Sequence, residues 1–298
     1  MVVRNIKPLK LILAYIALSP NVTTAEELRI MSWNMQWLNH HASSPVLRDT
    51  DDLTQMRSII KHIDPDILAF QEVGSLKAMT MVLPLKQYDI LLSSRADHPR
   101  YTFPNTNQFT GFAIRKNIRY RELPDFTKIN LNKKSLRYGK NLKIWWQDQQ
   151  IHLLNIHLKA GCKQSKRSKA CRQLKKQLKL LSLWLQTRIE NNHPYILLGD
   201  FNYPLYTSLN NKKEKQHNHW FFKQLGIPTT TLKQHKTSFS CQVKIHHKKS
   251  RLITYTQPID HVISDNIAIS KLETYQYTNK EMSSNQLSDH CPLYFSIP

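Results

Sequence analysis

Short apolar runs separated by polar punctuation recur from Leu28 to Ile297, and this spacing constrains the fold more than any other feature of the chain. Residues 28–33, 67–71, 111–114, 151–157, 195–198, 261–263 and 293–297 are apolar over lengths too short for helices, and read as buried strands. Between the first two, residues 52–63 put Leu53, Met56, Ile60 and Ile63 on one helical face, with acids at the start and Lys61 near the end. A longer helix lies between residues 157 and 195. Leu174, Leu178, Leu181, Leu185 and Ile189 form its apolar stripe, while Lys175, Lys176 and Lys179 fall off it. Strands interleaved with helices predict an α/β or α+β protein with layered sheets. Periodicity alone leaves the number of sheets open. With 298 residues, no internal repeat and no long Pro/Gly/Ser linker, a single domain is the simpler reading.

The N-terminus reads as an address. Arg4, Lys7 and Lys10 precede or border the apolar run 11–19, and Thr23-Thr24-Ala25 ends in a small residue. The run is too short to span a bilayer, so residues 1–25 are expected to be a signal peptide and 26–298 the mature domain. A buried first helix or strand is the alternative. No later segment is long and apolar enough to cross a membrane, which predicts a soluble, secreted or periplasmic protein without stable membrane insertion, acting as a monomer. Four cysteines, none at zinc-type pair spacing, suit an oxidising compartment. They allow three pairings. Cys162–Cys171, the local pair, with Cys241–Cys291 is the favoured one, and buried thiols are the alternative.

The formal charge is +22, and residues 128–143, 163–179 and 233–251 carry cations without a single acid. Such a surface draws polyanions: nucleic acid, anionic lipid headgroups or inositol phosphates. Charge does not choose among them, and solvated lysines are the plain reading.

Against 43 cations the chain has 21 acids, so the places they occupy are informative. Glu72, Asp200, Asp260 and Asp289 sit at or just beyond strand ends, as do Asn34, Asn202, His157 and His290. Strand ends from distant parts of a chain can meet on one rim, where loops build sites. Carboxylates with neutral amides suit a hard cation such as Mg²⁺, and two histidines without zinc spacing suit acid–base work. Each motif alone has a structural reading. Gly199-Asp200-Phe201-Asn202 could be a turn, Glu72 a solvated acid, His157 a satisfied core histidine, and Asp260 the partner of a nearby cation.

Taken in order, Ser32-Trp33-Asn34, Gln71-Glu72, Asn155-Ile156-His157-Leu158, Gly199-Asp200-Phe201-Asn202, Asp260 and Ser288-Asp289-His290 resemble the endonuclease/exonuclease/phosphatase superfamily, in particular secreted bacterial members. The resemblance covers nearly the whole mature chain. It implies a four-layer α/β sandwich, two mixed β-sheets face to face and flanked by helices, with the active site at one rim. It also implies the roles. Glu72, with Asn34 and Asp289, holds Mg²⁺ (Mn²⁺ or Ca²⁺ in its place). His290, supported by Asp260, is the general base. Asp200 and Asn202 position nucleophile and phosphate, and His157 donates to the phosphate or assists the leaving oxygen. Arg137 matches a phosphate-contacting arginine loosely, a surface arginine being the alternative.

The basic tracts, and no recognisable exposed apolar hairpin, favour a nuclease acting on DNA or RNA. The alternatives are a phosphatase or phospholipase-type phosphodiesterase acting on inositol phosphates or sphingomyelin, and a non-catalytic polyanion-binding relative. Tyr101, Tyr138, Tyr203 and Tyr206 could contact bases or sugars, packing being the plainer reading.

Overall fold

Strand β1 (Leu28–Leu38) sorts its side chains by the two-residue period of extended backbone. Leu28 and Ile30 enter one apolar core, whereas Met31, Trp33 and Met35 enter another. Strands β2 (Ile67–Val73), β7 (Gln149–His157) and β8 (Tyr195–Asp200) divide in the same way. Strands buried on both faces require layers on both sides, and the computed structural model has them. It describes residues 26–162, 167–205, 212–228, 232–235, 240–246, 250–265 and 267–298. The expected signal peptide and Tyr206 lie outside the described residues.

The remaining elements are β3 (Tyr88–Leu92), β4 (Phe109–Arg115), β5 (Tyr120–Glu122), β6 (Lys140–Trp146), β9 (Lys233–Gln234), β10 (Cys241–His246), β11 (Ser250–Tyr255), β12 (Asp260–Ser264), β13 (Glu273–Thr274) and β14 (Leu293–Ile297), with helices α1 (Thr50–Ile63), α2 (Leu76–Thr80), α3 (Lys169–Glu190), α4 (Lys212–Leu225) and α5 (Asn279–Ser284). One six-stranded sheet runs β13-β14-β1-β2-β4-β3, the other β5-β6-β7-β8-β12-β9. Each contains one parallel pair, β1–β2 and β7–β8, among antiparallel neighbours. Helices α1 and α3 make the crossovers that parallel pairing needs. Both sheets are therefore mixed, and the expected four-layer sandwich is the observed fold.

Three apolar clusters fill it. Ile30, Ile67 and Phe112 of the first sheet meet Leu142, Ile151, Leu153, Ile196 and Val262 of the second between the sheets. Met56, Ile59, Ile60 and Ile63 of α1 cover the outer face of the first sheet. Leu174, Leu178, Leu181 and Leu185 of α3, with Phe221 of α4, cover the second. Asn155, buried in the inner layer, joins the sheets: its Nδ2 donates to the Phe70 and Gly111 carbonyls at 2.8 and 2.7 Å, and its Oδ1 accepts from Gln71 Nε2 at 2.7 Å. Gly111 leaves room for the Phe70 ring, from which a Cβ there would lie 2.2 Å.

Both favoured disulfides form, Cys162–Cys171 and Cys241–Cys291. The second anchors a hairpin, β10–β11, that makes its own two-stranded sheet. No exposed apolar hairpin is recognisable in the sequence, and this hairpin is largely polar, though Leu252 is 51% and Tyr255 39% exposed on it. The polar composition of residues 241–255 hid it, with lysines and histidines where a lipid-seeking hairpin would show an apolar run. Among the described residues no helix is long and apolar enough to cross a membrane.

Candidate active site

The inner faces of the strands change from apolar to polar as they reach one rim. Ile30, Ser32 and Asn34 alternate along β1, and Leu153, Asn155 and His157 along β7. Asp200 closes β8. Because β12 runs antiparallel to β8, its first residue arrives at the same edge, where Asp260 pairs in register with Asp200, itself in register with His157. His290 lies just ahead of β14, which is antiparallel to β1. Carboxyl ends of parallel strands and amino ends of their antiparallel neighbours thus converge.

Glu72 reaches the rim by a different device. Strict alternation would place it beside Leu68 and Phe70, on the helix-covered face. Its backbone instead takes the left-handed conformation, φ +60°, where the β2–β4 register shifts. The alternation breaks, and Oε1 comes within 3.7 Å of His157 Nε2. Gln36, Trp37 and Asn202 also have positive φ, at 42°, 56° and 51°. Left-handed non-glycine residues gather where a site over-determines the backbone.

Asp200 is the hub. One oxygen accepts from the Asn202 amide at 2.7 Å, the other from Asn202 Nδ2 at 2.9 Å and Asn34 Nδ2 at 3.0 Å. His157 Nε2 and His290 Nε2 stand 3.4 and 3.9 Å from that second oxygen. Burial pushes the Asp200 carboxyl up to about 7, against the charge of His290 and the hydrogen bonds from Asn202 and Asn34. His290 Nδ1 lies 2.6 Å from Asp260 Oδ2. Burial alone would lower this imidazole, but the charges of Asp260, Asp200 and Asp289 and the hydrogen bond prevail, and its pKa stands well above the ordinary histidine value. His157 is shifted the opposite way, well below that value, by burial and then by the Arg137 charge. The two imidazoles flanking one carboxylate thus hold protons with different strength.

Arg137 belongs to this centre: its guanidinium acts electrostatically on Glu72, Asp200 and His157. A second arginine there was not expected. Arg95 is 2% exposed, lies within electrostatic reach of Arg137 and His157, and its buried Nε has no partner among the described residues. Only its place in the polar stretch 93–98 could have signalled it. Arg48 was also missed. It holds the Gln36, Gln286 and Leu287 carbonyls at 3.0, 2.9 and 3.0 Å, bracing the Asn34 and Asp289 loops against each other. Tyr101, Tyr138 and Tyr203 are buried, at 7, 4 and 0% exposure, so they pack.

Glu72, Asn34 and Asp289 offer the oxygens expected of a hard-cation site. Among the described residues Glu72 pairs with no lysine or arginine. Its Oε2 accepts only from the Trp37 amide at 3.2 Å, and the histidine beside Oε1 has its proton affinity depressed. Asp289 is about one-third exposed, and both it and Glu72 lie within electrostatic reach of Arg48. The residues fit a divalent ion. Asp200, Asp260 and His290 also place one ligand atom each within 4.8 Å of one another. Asp260 engages His290 through Nδ1 at 2.6 Å while Nε2 stands 3.9 Å from Asp200, an arrangement that also suits an acid–base cluster. Beside it opens a cavity of about 390 Å³, bounded by Asn202, Asp260, Asp289 and His290 and, from the hairpin side, by Tyr255 and Gln257.

A two-sheet sandwich with a carboxylate–imidazole rim defines the class, the phosphoester hydrolases built on this fold. The family described as Endonuclease/Exonuclease/phosphatase matches residues 31–290, and the chain belongs to it. Enzymes of the family hydrolyse phosphoester bonds, diesters in the nucleases and monoesters in the phosphatases, and generally use divalent metals. No curated protein sequence matches the chain. Among solved structures, TDP2 of D. rerio complexed with a single-strand DNA product is similar at 15% identity and TM-score 0.61, covering 91% of this chain and 99% of that one. The human Nocturnin catalytic domain with bound sulfate shares 17% identity, TM-score 0.59, over 91% and 94%. The 3'-5' exonuclease NExo of Neisseria meningitidis shares 14%, TM-score 0.58, over 90% and 99%. At these identities the likeness is one of fold.

Proposed function

We propose that the chain is an exported, divalent-metal-dependent phosphodiesterase that hydrolyses nucleic acid. The observation that carries this reading is the pairing of His290 with Asp260 at 2.6 Å beside the buried Asp200, 3.9 Å from the opposite ring nitrogen. Asp260 fixes the imidazole so that Nε2 faces the cavity, the atom from which a base takes a proton from water. Asp200, held by Asn34 and Asn202, orients that water. Asn202 and Arg137 hold the phosphate, and His157 stands opposite His290 to donate to a phosphate oxygen or to the leaving oxygen. Glu72, Asn34 and Asp289 would hold the cation. When bound, it would neutralise a non-bridging oxygen and by its charge draw His290 towards the neutral form that a base requires. Export is supported by the basic-then-apolar N-terminal sequence and by the two disulfides.

A nucleic-acid substrate is favoured by the +22 charge. A second reading, a phospholipase-type phosphodiesterase or a phosphatase acting on sphingomyelin or inositol phosphates, is favoured by the hairpin, which exposes Leu252 and whose Tyr255 lines the cavity. Purified mature protein, assayed with Mg²⁺, Mn²⁺ and Ca²⁺ on plasmid DNA, RNA, sphingomyelin and inositol phosphates, separates the two, with His290→Ala as the blank. Metal-dependent cleavage of DNA or RNA, absent from the blank, is expected. Turnover of the lipid or inositol substrates alone selects the second reading. Chelator-insensitive DNA binding without any cleavage selects a non-catalytic relative.

A further inference from the structure

Helix α4 presents two unlike faces. Asn218, Phe221 and Leu225 turn inward and are buried, Phe221 and Leu225 within the apolar cluster that α3 shares. On the opposite side Lys212, Lys215, His219, Trp220 and Lys223 follow the helical repeat i, i+3, i+7, i+8, i+11, forming one continuous strip. Lys175 of α3 faces this strip across a groove of about 760 Å³, and no acid lines it among the described residues. The four lysines and His219 are exposed, and among the described residues none of these lysines is ion-paired. Arg172 and Lys179, one helical turn to either side of Lys175, are exposed as well and lengthen the cationic wall.

Trp220 links this groove to the catalytic loop. Its ring centroid lies 5.2 Å from that of Tyr203, the residue after Asn202, and the half-buried indole lines the groove. From Lys212 to Lys223 the strip is roughly 16 Å long at 1.5 Å per residue. That is long enough to face several successive phosphates of a strand. A cationic track with an aromatic platform suits single-stranded nucleic acid, whose backbone follows the charge while a base stacks on the ring. An anionic membrane would be met better by a flat or protruding face than by a groove.

We propose that the α3–α4 groove is a second binding site, for a nucleic-acid strand, set apart from the cleavage rim, with Trp220 as its aromatic platform. The choice of ligand rests on the nucleic-acid reading above, and the two are tested separately by measuring binding without turnover. His290→Ala in the presence of chelator is titrated with a fluorescent single-stranded oligonucleotide over a series of salt concentrations. Adding Lys175→Glu, Lys215→Glu and Lys223→Glu should raise Kd at least tenfold and reduce the slope of log Kd against log salt by about 2. The same charge change made with Lys61→Glu, Lys77→Glu and Lys86→Glu, on the far sheet's side, should have a much smaller effect. Trp220→Leu should weaken the oligonucleotide at least fivefold but leave heparin unaffected. With His290 restored, the groove variant should still hydrolyse the small diester bis(p-nitrophenyl) phosphate at the parental rate. Equal effects of the two triple substitutions, or anionic vesicles or heparin bound as tightly as DNA with no dependence on Trp220, would overturn the assignment. Binding that behaves as expected in a chain that cleaves no nucleic acid would sink the catalytic reading alone.

Discussion

Asp260 Oδ2 and His290 Nδ1 meet at 2.6 Å across thirty residues of sequence, and Asp260's other carboxylate oxygen is buried without a partner. Asp260 is therefore committed to the imidazole. Asp260→Asn and His290→Ala should each lower turnover by roughly 10²-fold or more with circular dichroism unchanged. As the two act as a unit, the double variant should be hardly worse than His290→Ala. Near-parental rates in both single variants, with metal controlled, would exclude the pair from catalysis.

The left-handed backbone of Glu72 separates function from stability. Glycine accepts φ +60° without penalty, so Glu72→Gly removes a carboxylate while relieving strain. The expected outcome is a loss of about 10²-fold or more in turnover, and of Mn²⁺ affinity by calorimetry, with unfolding free energy within about 1 kcal/mol of the parent. A large stability loss with metal affinity preserved would identify Glu72 as a structural acid.

Asn155 predicts the reverse. Asn155→Leu removes the side-chain donor of the Phe70 and Gly111 carbonyls in the inter-sheet layer and leaves the Gln71 amide only its 3.4 Å contacts to Ser32 and Ala69. Denaturant unfolding should show a loss of roughly 3 kcal/mol or more. A cost below about 1 kcal/mol would mean that the sheets are held together by apolar packing alone.

Acid should loosen the second sheet through His261, 4% exposed, whose Nε2 lies 3.3 Å from the Leu205 amide and 3.0 Å from the Tyr203 carbonyl. Burial, opposed by backbone hydrogen bonds and by Asp260, lowers it to about 4 from an ordinary 6.5. The unfolded chain then binds more protons between those two values. The contribution of this residue is complete above pH 6.5 and falls by roughly 3 kcal/mol as the pH drops towards about 4. Asp200, raised to about 7, acts in the opposite sense, so the difference between the parent and His261→Gln is the readout. His152 and His235, lowered chiefly by burial in the same direction, steepen the decline. Urea unfolding near neutrality and at about pH 5 measures it, and His261→Gln should flatten the slope. An unchanged slope would remove His261 from the account.

The sequence was legible where one period dominated. Strands β1, β2, β4, β7, β8, β12 and β14 and helices α1 and α3 carry their burial in plain alternation or stripes, and each expected run lies within its strand. The rim residues could be read because acids are rare in this chain and stand at strand ends. Helix α4 escaped because its outward face is lysine, histidine and glutamine around a short aromatic triplet, a pattern equally suited to a loop. Strands β10 and β11 escaped because their residues face solvent or the cavity as well as the core. Asn155 did leave a sign, one amide inside an apolar strand. The bond it makes to the opposite sheet depends on stacking that no local pattern encodes. Arg95 and Arg48 act through carbonyls far away in sequence, which no spacing rule foresees.

β1 has β2 on one side, and its other side is filled when β14, at the opposite end of the chain, docks. His290 enters the rim on the segment just before β14, so competence for chemistry coincides with closure of the first sheet. A chain arrested before that step, or clipped between α5 and β14, could retain most of its secondary structure and still be unable to cut.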